Sequence, residues 1–189
     1  MPTIDVKSNF DSLKKPSDLM RFMNDYITYG FVGKSRRKYA YGDKDWQKNW
    51  LSDCIVQFGD EMLETKTGTC WDQVELERKW FSEHNYEFKT IFSWFEIDGP
   101  NNYPTHTFLA YKKNDKWFWF EYSFTSYRGI HKYNTIDELI NDVKNKQLIS
   151  AINSGVAKPE DVNLIKSYIY TKPKSNLGVG EFIDYVRGL

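Results

Sequence analysis

Between Tyr86 and Tyr122 the chain is dominated by aromatic and β-branched residues, interrupted at Asp98-Gly99-Pro100-Asn101-Asn102 and at Asn114-Asp115. Turn-forming clusters between runs of that kind mark antiparallel strands joined by short connections. The expected strands are Tyr86 to Ile97, Thr105 to Tyr111 and Lys116 to Tyr122, a three-stranded meander. Such a sheet needs an apolar partner layer, and the flanking sequence supplies helices. Leu19, Met20, Phe22, Met23, Tyr26 and Ile27 form a helical stripe behind Ser17 or Asp18 as N-cap. Trp46, Trp50, Leu51, Cys54, Ile55 and Phe58 repeat the spacing across Asp43 to Phe58. Tyr29 to Gly42, punctuated by glycines, reads as a loop.

Downstream, Thr135 and Glu138 make a capping-box pattern before a helix expected to reach about Ile149. Leu164 to Tyr170 reads as a strand and Gly180 to Val186 as a short terminal helix. Helices come first, then a sheet with late helices, which is an α+β arrangement rather than alternating βαβ units. A length of 189 residues fits a single domain over 1–189.

The composition narrows the partners. Lys+Arg and Asp+Glu both number 26, so no overall positive field draws in a phosphate backbone, and nucleic acid is not an expected partner. The basic run Lys34-Ser35-Arg36-Arg37-Lys38 is short enough to be an ordinary surface loop. No apolar run reaches the ~20 residues of a membrane span, and the first residues lack a signal-peptide pattern. The expectation is a cytoplasmic protein without a membrane partner, its oligomeric state left open. Two cysteines, Cys54 and Cys70, do not make a disulfide framework and read as free thiols.

One of the two thiols has the setting of a nucleophile. Gly68 interrupts the chain, and Cys70 opens Trp71-Asp72-Gln73-Val74-Glu75-Leu76-Glu77-Arg78-Lys79-Trp80-Phe81, with acidic residues early and basic residues late, as the helix macrodipole favours. A helix N-terminus and a nearby imidazole both favour thiolate, the reactive form, and the Cys70 amide would serve as an oxyanion donor. Cys54 falls within an apolar periodic stretch and reads as a small core residue. Of the histidines, His84 and His131 lie in turn-like or loop-like surroundings and read as surface. His106 instead begins a strand just after Pro104. In a hairpin turning near Asn114-Asp115, Glu121 falls close to opposite His106, with Cβ atoms ~5 Å apart if they share a face. Cys70, His106 and Glu121 are thus the candidate nucleophile, general base and orienting acid. A zinc site on Cys70 and His106 lacks the ligand number and spacing of known closed sites, so neither a metal nor another cofactor is expected.

These motifs resemble the transglutaminase-like superfamily of papain-like cysteine enzymes. The resemblance rests on Gly68-Thr69-Cys70 at a helix start, His106-Thr107-Phe108 opening a strand, and Trp117-Phe118-Trp119-Phe120-Glu121 ending one. Cys70-Trp71 is similar to the papain branch. It covers roughly residues 60–125. The chain departs from the family pattern in having Glu121-Tyr122 where Asp-Pro is usual, and Phe108 and Ala110 where Trp and an acid are often found. The resemblance implies a transglutaminase-like core with the nucleophile helix packed on an antiparallel sheet. It also implies acyl transfer from a peptide or protein amide by a cysteine protease, deamidase or transglutaminase type of enzyme, and an upstream side chain completing the oxyanion hole, for which Gln57, Tyr29 and Trp46 are candidates. The competing expectation is a catalytically inactive module of the same fold that binds a peptide or glycan.

Overall fold

A computed structural model describes residues 5–96 and 105–189, so the turn cluster at 98–102, Ile97 and Pro104 lie outside the described residues. The chain begins with two helices, α1 (Val6–Asp11) and α2 (Pro16–Tyr26). The stretch expected to be a loop is instead a hairpin of β1 (Thr28–Val32) and β2 (Lys38–Ala40). Its turn places Arg36 at a φ of 66°, a left-handed conformation with no glycine to announce it. Helix α3 (Trp46–Asp53) is shorter than its periodicity suggests. Cys54 leaves it in extended conformation to bridge Gly33, and Ile55 bridges Gly178, so backbone pairing ends the helix early.

Helix α4 (Gly59–Thr65) and the two-residue β3 (Thr67–Gly68) lead into α5 (Cys70–Glu83). The meander follows as β4 (Glu87–Phe95), β5 (Thr105–Lys113) and β6 (Lys116–Glu121), extended by β7 (Gly129–Tyr133). Helix α6 (Ile136–Asn153) starts at the expected cap, Thr135 Oγ1 accepting from the Glu138 amide at 3.1 Å, and runs a turn further than expected. β8 (Ile165–Tyr170) and α7 (Val179–Arg187) complete the chain.

The larger sheet has the order β7-β6-β5-β4-β8, every neighbouring pair antiparallel. Its alternation sorts the core into layers. Leu109, Tyr111, Phe120 and Tyr122 pack with Leu76, Trp80 and Phe81 of α5 and with α2. Phe108, Ala110, Trp117 and Trp119 turn the other way, onto Leu139 and Val143 of α6. The fold is α+β, as expected, with α5 on one face of the sheet and α6 on the other. Among the described residues no helix is long and apolar enough to cross a membrane.

Residues 70 to 77 of α5 are all buried, because neighbours enclose the helix on every side. Trp71 meets Trp50, Phe92 and Phe182 with ring centroids 5.3, 6.0 and 4.7 Å away. The acidic residues near the start of the helix, Asp72, Glu75 and Glu77, are therefore inside the protein. Glu75 is held by Arg78 at 2.9 Å, and Asp72 by groups at the head of the helix.

Candidate active site

The head of α5 is built around Asp72. Its carboxylate accepts from the Gln57 amide at 2.7 Å, the Thr69 amide at 2.7 Å and the Thr69 hydroxyl at 2.8 Å. These bonds satisfy donors that a helix start leaves open and pin the turn carrying Cys70. Burial pushes Asp72 up to about 6 despite the hydrogen bonds that pull it down, leaving it ionised at neutral pH. Gly68 is there for space: a Cβ would stand 2.7 Å from Asp72 Cβ and 2.9 Å from Met62 Sδ. Cys70 follows as the first helical residue, 7% exposed, and faces a cavity of about 370 Å³.

His106 sits at the start of β5 on the α6 side of the sheet, alongside Phe108. The strand register puts Glu121 opposite Phe108, so Glu121 lies diagonally across from His106 rather than directly opposite. Diagonal neighbours are farther apart than direct pairs, and the longer glutamate side chain spans the gap. His106 Nε2 and Glu121 Oε2 are 2.7 Å apart. The other carboxylate oxygen accepts from the Phe124 amide at 2.6 Å and the Ser123 hydroxyl at 3.2 Å. Phe108 stacks on the imidazole at 5.7 Å and Phe124 meets it edge-on at 5.4 Å, fixing its plane. With Nε2 committed to Glu121, Nδ1 is the nitrogen left for Cys70, which lines the same cavity. Burial opposes charge on His106, but the Glu121 carboxylate and hydrogen bonds to Cys70 and Glu121 outweigh it and raise the ring from 6.5 to about 10. The three sequence candidates thus converge.

Among the three side chains considered for the oxyanion hole, Tyr29 is the one at the sulfur. It is 39% exposed overall, yet it lines the same cavity as Cys70 and His106, close enough for Cys70 to act on its hydroxyl. Burial, and after it the neighbouring Cys70, hold the phenol well above its ordinary 10.0, so it is a neutral O–H that can donate. Gln57 is committed elsewhere, its Nε2 donating to Thr67 O at 2.8 Å and its Oε1 accepting from the Thr65 hydroxyl at 2.7 Å. Trp46 stacks on Tyr29 at 6.2 Å and supports it from behind.

No family model matches the chain, and a search of curated proteins finds no match.

The other thiol and histidines have structural places. Cys54 is 2% exposed, and burial, followed by the charge of Asp72, pushes its thiol far up. His84, expected at the surface, is instead half-buried, stacked on Trp80 at 4.0 Å with its nitrogens 2.9 Å from Trp80 O and Leu13 O. His131 lies in β7 rather than a loop, with Nε2 2.7 Å from Tyr127 O. Among the described residues no cluster of His, Cys, Asp and Glu is arranged to hold a metal ion.

Glu77, two turns beyond Cys70 on α5, is a residue that sequence reasoning passed over. It is 2% exposed, its Oε2 has no hydrogen-bond partner among the described residues, and burial, followed by the charge of Glu121, holds it well above its ordinary 4.5. A raised native value means that folding retains a proton the unfolded chain releases, so Glu77 lowers stability as pH rises above 4.5. The variant Glu77→Gln, which mimics the neutral acid, is expected to lose that decline. Denaturant unfolding of both proteins across this range measures it, and parallel curves would mean that Glu77 ionises in the fold as readily as in the unfolded chain.

Proposed function

We propose that the protein is a cysteine-dependent hydrolase or acyltransferase of the transglutaminase-like, papain-like type, acting on an amide bond of a peptide or protein. The observation that carries this reading is the buried His106–Glu121 pair at 2.7 Å, on one cavity with a cysteine at the start of α5. An imidazolium held to about 10 by Glu121 is suited to stabilise a thiolate beside it and then to deliver a proton.

In the proposed reaction the Cys70 sulfur attacks the substrate carbonyl carbon. The resulting oxyanion is held by the Cys70 amide and the Tyr29 hydroxyl. His106 gives its proton to the departing amine as the carbon–nitrogen bond breaks, leaving a thioester. Water or a second amine then loses a proton to His106 while attacking the thioester, and the thiolate is released. Glu121 keeps the ring upright and compensates its charge throughout.

A module that only binds has no use for a charged, oriented imidazole at a thiol. Iodoacetamide at neutral pH separates the readings. Adducts mapped by mass spectrometry are expected on Cys70, at a rate several-fold above that of a small model thiol, and not on the sealed Cys54. Labelling of Cys70 no faster than the model thiol would sink the proposal.

A further inference from the structure

We propose that the cleft leading away from Cys70 carries a subsite for a substrate carboxylate, with Arg128 as its anchor. This deepens the proposed function and rests on Cys70 being the reacting group. Two cavities meet at the sulfur's rim. The first, of about 370 Å³, is walled by Cys70 and His106 and, from α6, by Gln147, Ser150 and Ser154, with no carboxylate or cationic side chain besides His106. The second, of about 430 Å³, shares Tyr29, Tyr41 and Ser123 with the first and ends at Arg128. An extended chain laid across Tyr29 would occupy both.

Arg128 is exposed, yet its guanidinium is held in place. Its Nε donates to Tyr122 O at 2.8 Å, its Nη1 donates to Asn24 Oδ1 at 3.1 Å, and its guanidinium lies 4.4 Å from the centre of the Tyr122 ring. That ring is fixed in turn, its hydroxyl 2.9 Å from Met23 O and Ile27 O. Each of the other arginines, Arg21, Arg36, Arg37, Arg78 and Arg187, has a carboxylate within ion-pairing distance. Arg128 is the one arginine of the described residues without such a partner. Its Nη2 makes no hydrogen bond within them, yet the side chain is held by three contacts. A planar guanidinium already positioned, with donors to spare and hydroxyl groups of Ser123 and Thr125 nearby, suits a carboxylate. Apart from the reacting His106, Arg128 is the one fixed cation of the cleft and matches one negative charge, so the substrate class is an amide-linked chain carrying an acidic side chain or a terminal carboxylate on that arm.

Paired electrophiles test this with the full chain. The α-amides of N-chloroacetyl-glutamate and N-chloroacetyl-glutamine, which differ in charge only at the side chain, each with no, one or two glycine spacers, alkylate a thiolate by displacing chloride to form a thioether. The ratio of acidic to neutral labelling rates at Cys70 is read by intact mass. At the best spacer the glutamate probe is expected to react about tenfold faster, the scale of one charge-assisted hydrogen-bond pair. Arg128→Gln should bring the ratio to one, and Arg128→Lys should restore part of it. Loss of fold would also move the ratio toward one, so partial recovery in Arg128→Lys is what ties the effect to the charge. Equal rates for every pair in the wild type, or an acidic preference that survives Arg128→Gln, would overturn the subsite. Iodoacetamide carries no carboxylate, so its reaction with wild-type Cys70 reports the parent reading separately.

Discussion

The variant His106→Ala is expected to alkylate at Cys70 roughly tenfold more slowly than the wild type at neutral pH, and to lose amide turnover by about a hundredfold or more. The first effect follows from removing the cation beside the sulfur, the second from removing the group that donates and accepts the proton. The pH profile separates these from a general loss of fold. The proposed ion pair of a Cys70 thiolate with His106, the ring charged up to about 10, should make the wild-type alkylation rate level across the neutral range. In His106→Ala it should climb with pH, as it does for a simple thiol. Carboxamidomethylation followed by mass spectrometry at several pH values measures both, and a level profile in the variant would remove His106 from the reaction.

The second large effect is on stability. Asp72→Ala is expected to cost about 3 kcal/mol or more, because it leaves the Gln57 amide, the Thr69 amide and the Thr69 hydroxyl buried without their shared acceptor. Asp72→Asn retains the shape but offers only one acceptor oxygen, and should lose about half as much. Unfolding in denaturant, with an unchanged dependence on denaturant concentration, gives the difference. A loss below about 1 kcal/mol for Asp72→Ala would mean that these donors find other partners when the acid is gone. Since the same bonds pin the turn bearing Cys70, the alanine variant should also react more slowly with iodoacetamide.

Much of this site is encoded locally. Gly68 and Cys70 announce a tight approach and a helix start, and the Asn114-Asp115 turn brings His106 and Glu121 near each other by counting along the hairpin. The actual register moves Glu121 to the diagonal, a shift that the turn residues alone do not decide and that the longer acid accommodates. The β1–β2 hairpin was hidden because its strands are short and β1 gains a second partner, β3, from residues far along the chain. The burial of Asp72, Glu75 and Glu77 is not legible because sequence gives no sign that α5 is enclosed on all sides. Tyr29 could not be singled out for the same reason: its contact with Cys70 spans 41 residues of chain and depends on tertiary packing.

Glu121 serves two masters, one oxygen on the His106 ring and the other on the Phe124 amide and Ser123 hydroxyl, which line the cleft. Residue changes that reshape this corner therefore disturb the proton carrier as well, and selection for new substrates would meet resistance there. The face of α6 opposite it, with Ser150, Ala151 and Ser154, carries no such obligation to the imidazole, and is where heritable variation in substrate preference has room to accumulate.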